Sequence, residues 1–141
     1  MVRVTMAGLG YSVKGKGKHN AVALLREDEG PKVLLLWLDD DEAGQLTGLF
    51  DGKGEDFPQT HDLLAGLFHS LGLNLVSVIL EGRGKTASAA RLMIAWGEEQ
   101  GELEARPGDA VALALRLGVP IFAGEKFLTE PSSYKVNGVI N

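Results

Sequence analysis

The chain lacks cysteine altogether among its 141 residues. It therefore has no disulfide framework and no thiolate metal site, which is compatible with a reducing compartment. Long hydrophobic runs are also absent, since the longest, VLLLWL, is far shorter than the roughly 20 residues that cross a bilayer. The first ten residues lack the apolar core of a signal peptide. We therefore expect a cytoplasmic protein that makes no contact with a membrane.

Positive charge is also scarce. The sequence has 14 Lys and Arg against 19 Asp and Glu, a formal net charge of −5. Most nucleic-acid-binding proteins present a basic face, so this balance argues against a broad electrostatic contact with DNA or RNA. It leaves room for a small local site. Apolar residues make up 45% of the chain, enough for the core of one domain of this length.

The pattern of apolar residues predicts an α+β fold: a single compact domain with about three helices and six or seven strands in a mixed, mostly antiparallel sheet. The helices are predicted at DEAGQLTGLF, THDLLAGLFHSLG and residues 110–117. The strands are predicted at MVRVTMAGLGY, NAVALLRED, KVLLLWL, NLVSVILEG, ASAARLMIAWG and GELEARP, with a short one before residue 123. We expect residues 1–128 to form the domain, and the tail, residues 129–141, to add a turn and an edge strand.

Two glycine-rich segments resemble phosphate loops only in part. GKGKH at residues 15–19 lacks the GK[ST] ending, and GRGKT at residues 82–86 lacks the upstream glycine of that motif. We interpret the first as a hairpin loop that could touch a phosphate backbone and the second as a tight turn.

Unusual polar residues occur at the starts of all three predicted helices. Glu42 begins the first, His61 and Asp62 begin the second, and Arg106 and Asp109 flank the start of the third. Helix N-termini bind anions through their free N–H groups. If the three starts converge, the carboxylates could hold Mg²⁺ or Mn²⁺, the imidazole could transfer a proton, and the guanidinium could hold a phosphate. Such a set of groups suits the cleavage of phosphodiesters.

Each of these residues also has a purely structural interpretation. Asp62 and Asp109 suit helix capping, and Arg106 could pair with Asp109 beside Pro107. His61 could be a satisfied core histidine. Glu42 is harder to explain this way, because it lies in line with the apolar stripe of its helix and would need a buried partner.

Three segments together resemble the bifunctional nuclease domain family. They are LLLWLDDDEAGQL, PQTHDLLAGLFHSLG and EARPGDAVALALRLGVPIF, which match the family's blocks LPIWIG..EA..I, P.THDLL and SRPSDAIALALR...PIFV in the same order. The resemblance covers residues 1–128. Carried over residue by residue, it selects the same five side chains: Glu42, His61, Asp62, Arg106 and Asp109. The sequence departs from the pattern at Gly108, where the family has serine, and at Asp39, where it has glycine.

The resemblance implies a compact α+β domain, often a homodimer, that cleaves both DNA and RNA. We expect Glu42, Asp62 and Asp109 to bind a divalent cation or position water, His61 to transfer a proton, and Arg106 to hold the phosphate. The alternative is a non-catalytic ligand-binding or protein-interaction module in which the same polar groups brace the fold or a dimer.

Overall fold

The structure, a computed structural model, describes residues 1–11, 21–51, 59–131 and 137–140. The strands are β1 (Val2–Tyr11), β2 (Ala21–Glu27), β3 (Val33–Leu38), β4 (Asn74–Glu81), β5 (Ala89–Trp96), β6 (Glu99–Ala105), β7 (Ile121–Ala123) and β8 (Asn137–Ile140). The helices are α1 (Asp40–Asp51), α2 (Thr60–Leu71) and α3 (Pro107–Leu117), with a short 3₁₀ helix at Glu125–Phe127.

All eight strands belong to one sheet. Seven run in the order β3-β2-β1-β7-β4-β5-β6, and β8 pairs with β1. Neighbouring strands are antiparallel except β4 and β7, which are parallel. The predicted α+β class, the three helices and the mostly antiparallel sheet are confirmed. The described residues hold eight strands rather than six or seven.

Helix α3 is the central element of the core. It packs against α1, α2 and strands β3, β4 and β5. Residues 110–114 are all buried, as the nearly uninterrupted apolar sequence predicts. Pro107 occupies its first turn, and Gly118, with φ of +70°, ends it in the left-handed conformation that favours glycine. Arg106 is therefore the N-cap of α3 and lies directly before its first turn.

The predicted inner face of α2 is wrong in part. The sequence of α2 predicts one inner apolar stripe of Leu63, Leu64, Leu67, Phe68 and Leu71. Phe68 is buried and Leu64 packs against the core, but Leu63, Leu67 and Leu71 are 62%, 46% and 67% exposed. The other buried residues of the helix are His61 and Ala65. The exposed and the buried residues both have helical spacing, so periodicity alone does not show which set faces α3 and β4. The sequence also suits Thr60 as the N-cap of α2, but the N-cap is Gln59, one residue earlier.

The loop regions are only partly described. The turn predicted at GRGKT is confirmed, with Gly84 at φ of +63°. The predicted GKGKH hairpin loop and most of the predicted loop at DGKGEDFPQ lie outside the described residues. Within the part of the chain that is described, no helix has the length and apolarity needed to span a bilayer.

Candidate functional site

The start of α1 is held by two reciprocal hydrogen bonds. The Glu42 amide donates to Asp39 Oδ1 at 2.8 Å, and the Asp39 amide donates to Glu42 Oε1 at 3.2 Å. This is a capping box, in which two free N–H groups at the helix start gain carboxylate acceptors. The acidic run that follows β3 therefore caps α1.

Glu42 also joins the starts of α1 and α3. Its side chain is 6% exposed, as its alignment with the apolar stripe predicts. Its second oxygen, Oε2, accepts a hydrogen bond from the buried Gly108 amide at 2.7 Å. A Cβ added at position 108 would overlap this carboxylate. The glycine that replaces the family's serine therefore lets the backbone of α3 approach Glu42 closely.

Arg106 lies at the exposed end of the same junction. Its Nε and Nη2 donate to the two oxygens of Asp109 at 2.8 and 3.2 Å, and its Nη1 donates to Asp39 Oδ2 at 3.0 Å. The hydrogen bonds to Asp109 are the main reason why the pKa of Arg106 lies above its ordinary value. Gln45 Nε2 adds a hydrogen bond to Asp109 Oδ1 at 3.3 Å. We call Asp39, Glu42, Gln45, Arg106 and Asp109 the Arg106 cluster.

The start of α2 forms a separate polar group. Asp62 Oδ2 accepts a hydrogen bond from the Gln59 amide at 2.7 Å, and Oδ1 accepts one from Arg116 Nε at 2.9 Å. The bond from Gln59, followed by that from Arg116, lowers the pKa of Asp62 below 3.8. His61 is 6% exposed, and its Nδ1 lies 3.5 Å from Asp62 Oδ1 without a hydrogen-bond partner.

The three helix starts therefore converge only in part. Glu42, Arg106 and Asp109 come together, as predicted. His61 and Asp62 lie instead with Arg116, seven residues after Asp109, which corresponds to about 10 Å along α3. Because seven residues make almost two turns, Asp109 and Arg116 lie on the same side of α3. The two polar groups occupy opposite ends of one helix face.

Sequence reasoning missed three members of these groups as site residues. Asp39 stands out in the sequence as a departure from the family pattern and not as a site residue, although its D-x-x-E spacing with Glu42 is typical of a capping box. Arg116 is the single charge in the apolar segment VALALRL, but the sequence does not indicate which residue it pairs with. Gln45 had no signal, because a glutamine on an amphipathic helix is ordinary.

The carboxylates of both groups are already engaged. Each of the eight oxygens of Asp39, Glu42, Asp62 and Asp109 accepts at least one hydrogen bond from the protein. Across the described ranges, no three His, Cys, Asp or Glu side chains are grouped as metal ligands would be. The arrangement fits a braced helix junction with one exposed guanidinium. It does not fit a cation site unless the carboxylates exchange partners.

Comparison with known proteins assigns the chain to a family. The family model of the bifunctional nuclease domain matches residues 23–135. The chain therefore belongs to the bifunctional nuclease domain family, as its three sequence blocks indicate. Two uncharacterized proteins of Mycobacterium tuberculosis, from strains CDC 1551 and H37Rv, are each 34% identical to it over 113 residues, which span 80% of this chain and 67% of each relative.

Proposed function

We propose that the protein hydrolyses phosphodiester bonds of DNA and RNA, with Arg106 as the group that binds the scissile phosphate. The observation that supports this most is the position of Arg106. Its side chain is 52% exposed, and two carboxylates fix its guanidinium at the start of α3 in a chain of the bifunctional nuclease domain family. A planar guanidinium held in place can bind a phosphate through two parallel hydrogen bonds.

The other predicted residues take different roles in this proposal. Asp109 positions Arg106, and Glu42 joins the helix starts that hold both. We retain His61 as the proton-transfer group and Asp62 as its partner, since the unpaired Nδ1 of His61 lies beside that carboxylate. Their place near the far end of α3 means that a substrate spanning both groups must follow this helix face.

A requirement for Mg²⁺ or Mn²⁺ remains a proposal that activity assays must test. Asp39, Glu42 and Asp109 surround one arginine, so the cluster has an excess of negative charge that disfavours a phosphate. A divalent cation would offset this repulsion. To bind one, however, the carboxylates would have to release hydrogen bonds that the structure shows.

The second candidate function is a non-catalytic interaction module. Two observations favour it: every carboxylate oxygen of the site is already paired, and α2 presents three exposed leucines to solvent. The site is thus internally paired, as a structural brace would be, yet exposed at Arg106, as a binding site would be.

A cleavage assay with matched variants separates the two functions. Purified wild type is incubated with single- and double-stranded DNA and RNA, with EDTA, Mg²⁺ or Mn²⁺. We expect Arg106→Lys and Asp109→Asn to lower cleavage about 100-fold or more, because the two-pronged phosphate contact or its positioning is lost. We expect the free energy of unfolding to change by at most about 1 kcal/mol, since exposed ion pairs contribute little.

The controls are Arg26→Lys on β2 and Glu104→Gln on β6, both exposed positions that should leave cleavage unchanged. Cleavage that survives in Arg106→Lys and Asp109→Asn comes from a contaminant or from another site. A wild type that cuts none of the four substrates under any condition excludes the nuclease function and favours the interaction module.

We also propose that the protein is a homodimer located in the cytoplasm. The exposed leucines of α2 support the dimer, because apolar side chains aligned on one helix side are typical of protein interfaces. Cell fractionation tests the location.

A further inference from the structure

A second candidate binding surface has a lining separate from the site described above. It is a groove of about 480 Å³, within the range of ligand pockets. Its walls include Leu35 and Trp37 from β3, Lys85 and Thr86 from the turn between β4 and β5, and Lys126 and Phe127 from the segment after β7. No step of the proposed hydrolysis uses these residues.

Trp37 gives the groove an exposed aromatic surface. Along β3, Leu34, Leu36 and Leu38 are buried, whereas Trp37 points to the other face and is 42% exposed. One exposed aromatic residue is common on a protein surface and indicates nothing by itself. The residues that share the groove with Trp37 determine what it can bind.

Two lysines give the groove a local positive charge in a chain whose net charge is −5. Lys126 is held in place: its Nζ donates to the Gly82 carbonyl at 3.1 Å and lies 5.0 Å from the centre of the Phe127 ring. Lys85 is exposed in the turn. Among the described residues that line the groove, Glu125 is the single acidic one, so the lysines outnumber it.

Two connections through the chain link the lining of the groove to the Arg106 cluster. Trp37 is two residues before Asp39, which accepts a hydrogen bond from Arg106, so their backbones are within about 7 Å of each other. On the other wall, Thr86 leads into β5, where Ala90 pairs with Ala105, the residue before Arg106. The groove lining and the Arg106 cluster are therefore connected by short stretches of the chain.

We propose that this groove binds single-stranded nucleic acid, with one base stacked on the Trp37 indole and adjoining phosphates on Lys85 and Lys126. An aromatic surface beside cationic side chains is the combination by which proteins bind single strands without sequence preference. In a duplex the base faces are already stacked, so a duplex offers Trp37 no face to bind. The inference rests on the proposed function for its choice of nucleic acid, but it concerns binding and requires no hydrolysis.

The test measures binding separately from cleavage. Fluorescein-labelled short DNA and RNA strands, and a duplex of the same length, are titrated with the full chain in EDTA, and anisotropy gives the affinity. We expect Trp37→Ala to weaken single-strand binding by about 5- to 160-fold, the range found for loss of one stacked base. Trp96→Ala is the matched control, because Trp96 is 40% exposed but belongs to β5 and does not line the groove. It should bind as the wild type does.

Two further measurements examine the individual contacts. Lys85→Gln should reduce the slope of log affinity against log salt by about 0.7, the value for one phosphate contact with a single strand, while Lys32→Gln should not change it. In a Trp96→Phe protein, Trp37 is the only tryptophan, and a single strand should quench its fluorescence. This readout does not depend on the stability of the Trp37→Ala variant.

The outcomes distinguish this inference from the proposed function. Three results would each contradict single-strand binding in the groove, even if cleavage is real. They are equal affinities of Trp37→Ala and Trp96→Ala for a single strand, absence of Trp37 quenching, and tighter binding of the duplex than of the single strand. If the protein cleaves nothing but binds a single strand through Trp37, the result would support the groove as a binding site and contradict only the proposed nuclease function. If the wild type binds no single strand at all, the groove is not a nucleic-acid-binding site.

Discussion

Gly108 lies where two helix starts meet around a buried carboxylate. Glu42 Oε2 accepts its amide hydrogen, and an added Cβ would overlap the Glu42 side chain. Gly108→Ala gains about 1 kcal/mol of helix propensity at most. It must also displace a buried carboxylate that accepts two backbone hydrogen bonds, and overpacking or a lost buried bond each costs about 1–3 kcal/mol. We expect a net loss of roughly 1–3 kcal/mol in the free energy of unfolding, measured by urea denaturation.

Gly66→Ala is the matched control for Gly108→Ala. Gly66 is an exposed glycine inside α2, and a Cβ there meets no atom within 4 Å. The same substitution should therefore stabilise the protein, by up to about 1 kcal/mol. If both alanines stabilise it, Gly108 is not packed tightly against Glu42.

Individual residues show what the sequence could and could not predict. The burial of Glu42 was predictable, because it lies in line with Leu46 and Leu49 on one helix face. Its hydrogen-bond partner was not predictable, because Gly108 is 66 residues away in the sequence. Gly108 donates through its backbone amide, and a pattern of side chains does not indicate backbone donors. The pairing of Arg106 with Asp109 was among the alternatives, since the two are three residues apart at a helix start.

At the scale of elements, α3 connects both polar groups. The sequence predicted its burial because residues 110–114 are uninterrupted small and branched apolar residues. It predicted the inner face of α2 only in part, because that helix has leucines on more than one side and only packing selects among them. The expected meeting of three helix starts failed for the same reason: sequence locates a start but not the angle at which helices cross.

The ion pair between Asp62 and Arg116 joins α2 to α3 and predicts a pH dependence. The pKa of Asp62 is lowered in the folded protein, first by the Gln59 amide and then by Arg116. A carboxyl with a lowered pKa stabilises the fold above its unfolded pKa, here 3.8, and loses that contribution as pH falls through the folded value. The stability difference between wild type and Asp62→Asn should therefore be constant near neutral pH and shrink below about pH 4.

Urea unfolding at several pH values checks this prediction. Glu104→Gln, at an exposed position of β6, is the matched removal of one carboxylate and should show a smaller change. A difference between wild type and Asp62→Asn that stays constant from neutral pH to about pH 2 would contradict the assigned linkage.

On the surface of the whole molecule, one side of α2 carries an apolar stripe that no described residue covers. Leu63, Leu67 and Leu71 are spaced by four residues, so they align along one side of α2. Burying such a stripe against a second copy gains apolar contact, and a stable interface of this kind needs about 1,200–2,000 Å² in total. We expect light scattering at micromolar concentration to give the mass of a dimer.

A charge placed in the centre of this stripe should separate the subunits. In Leu67→Glu, the carboxylate would be buried without a partner at the interface, which should weaken association at least about tenfold. Leu103→Glu is the control, because Leu103 is 54% exposed but belongs to β6 rather than α2. The control should keep the dimer mass while Leu67→Glu shifts toward the monomer. A monomeric wild type would exclude the dimer, and dissociation by Leu103→Glu alone would move the interface from α2 to the β6 edge of the sheet.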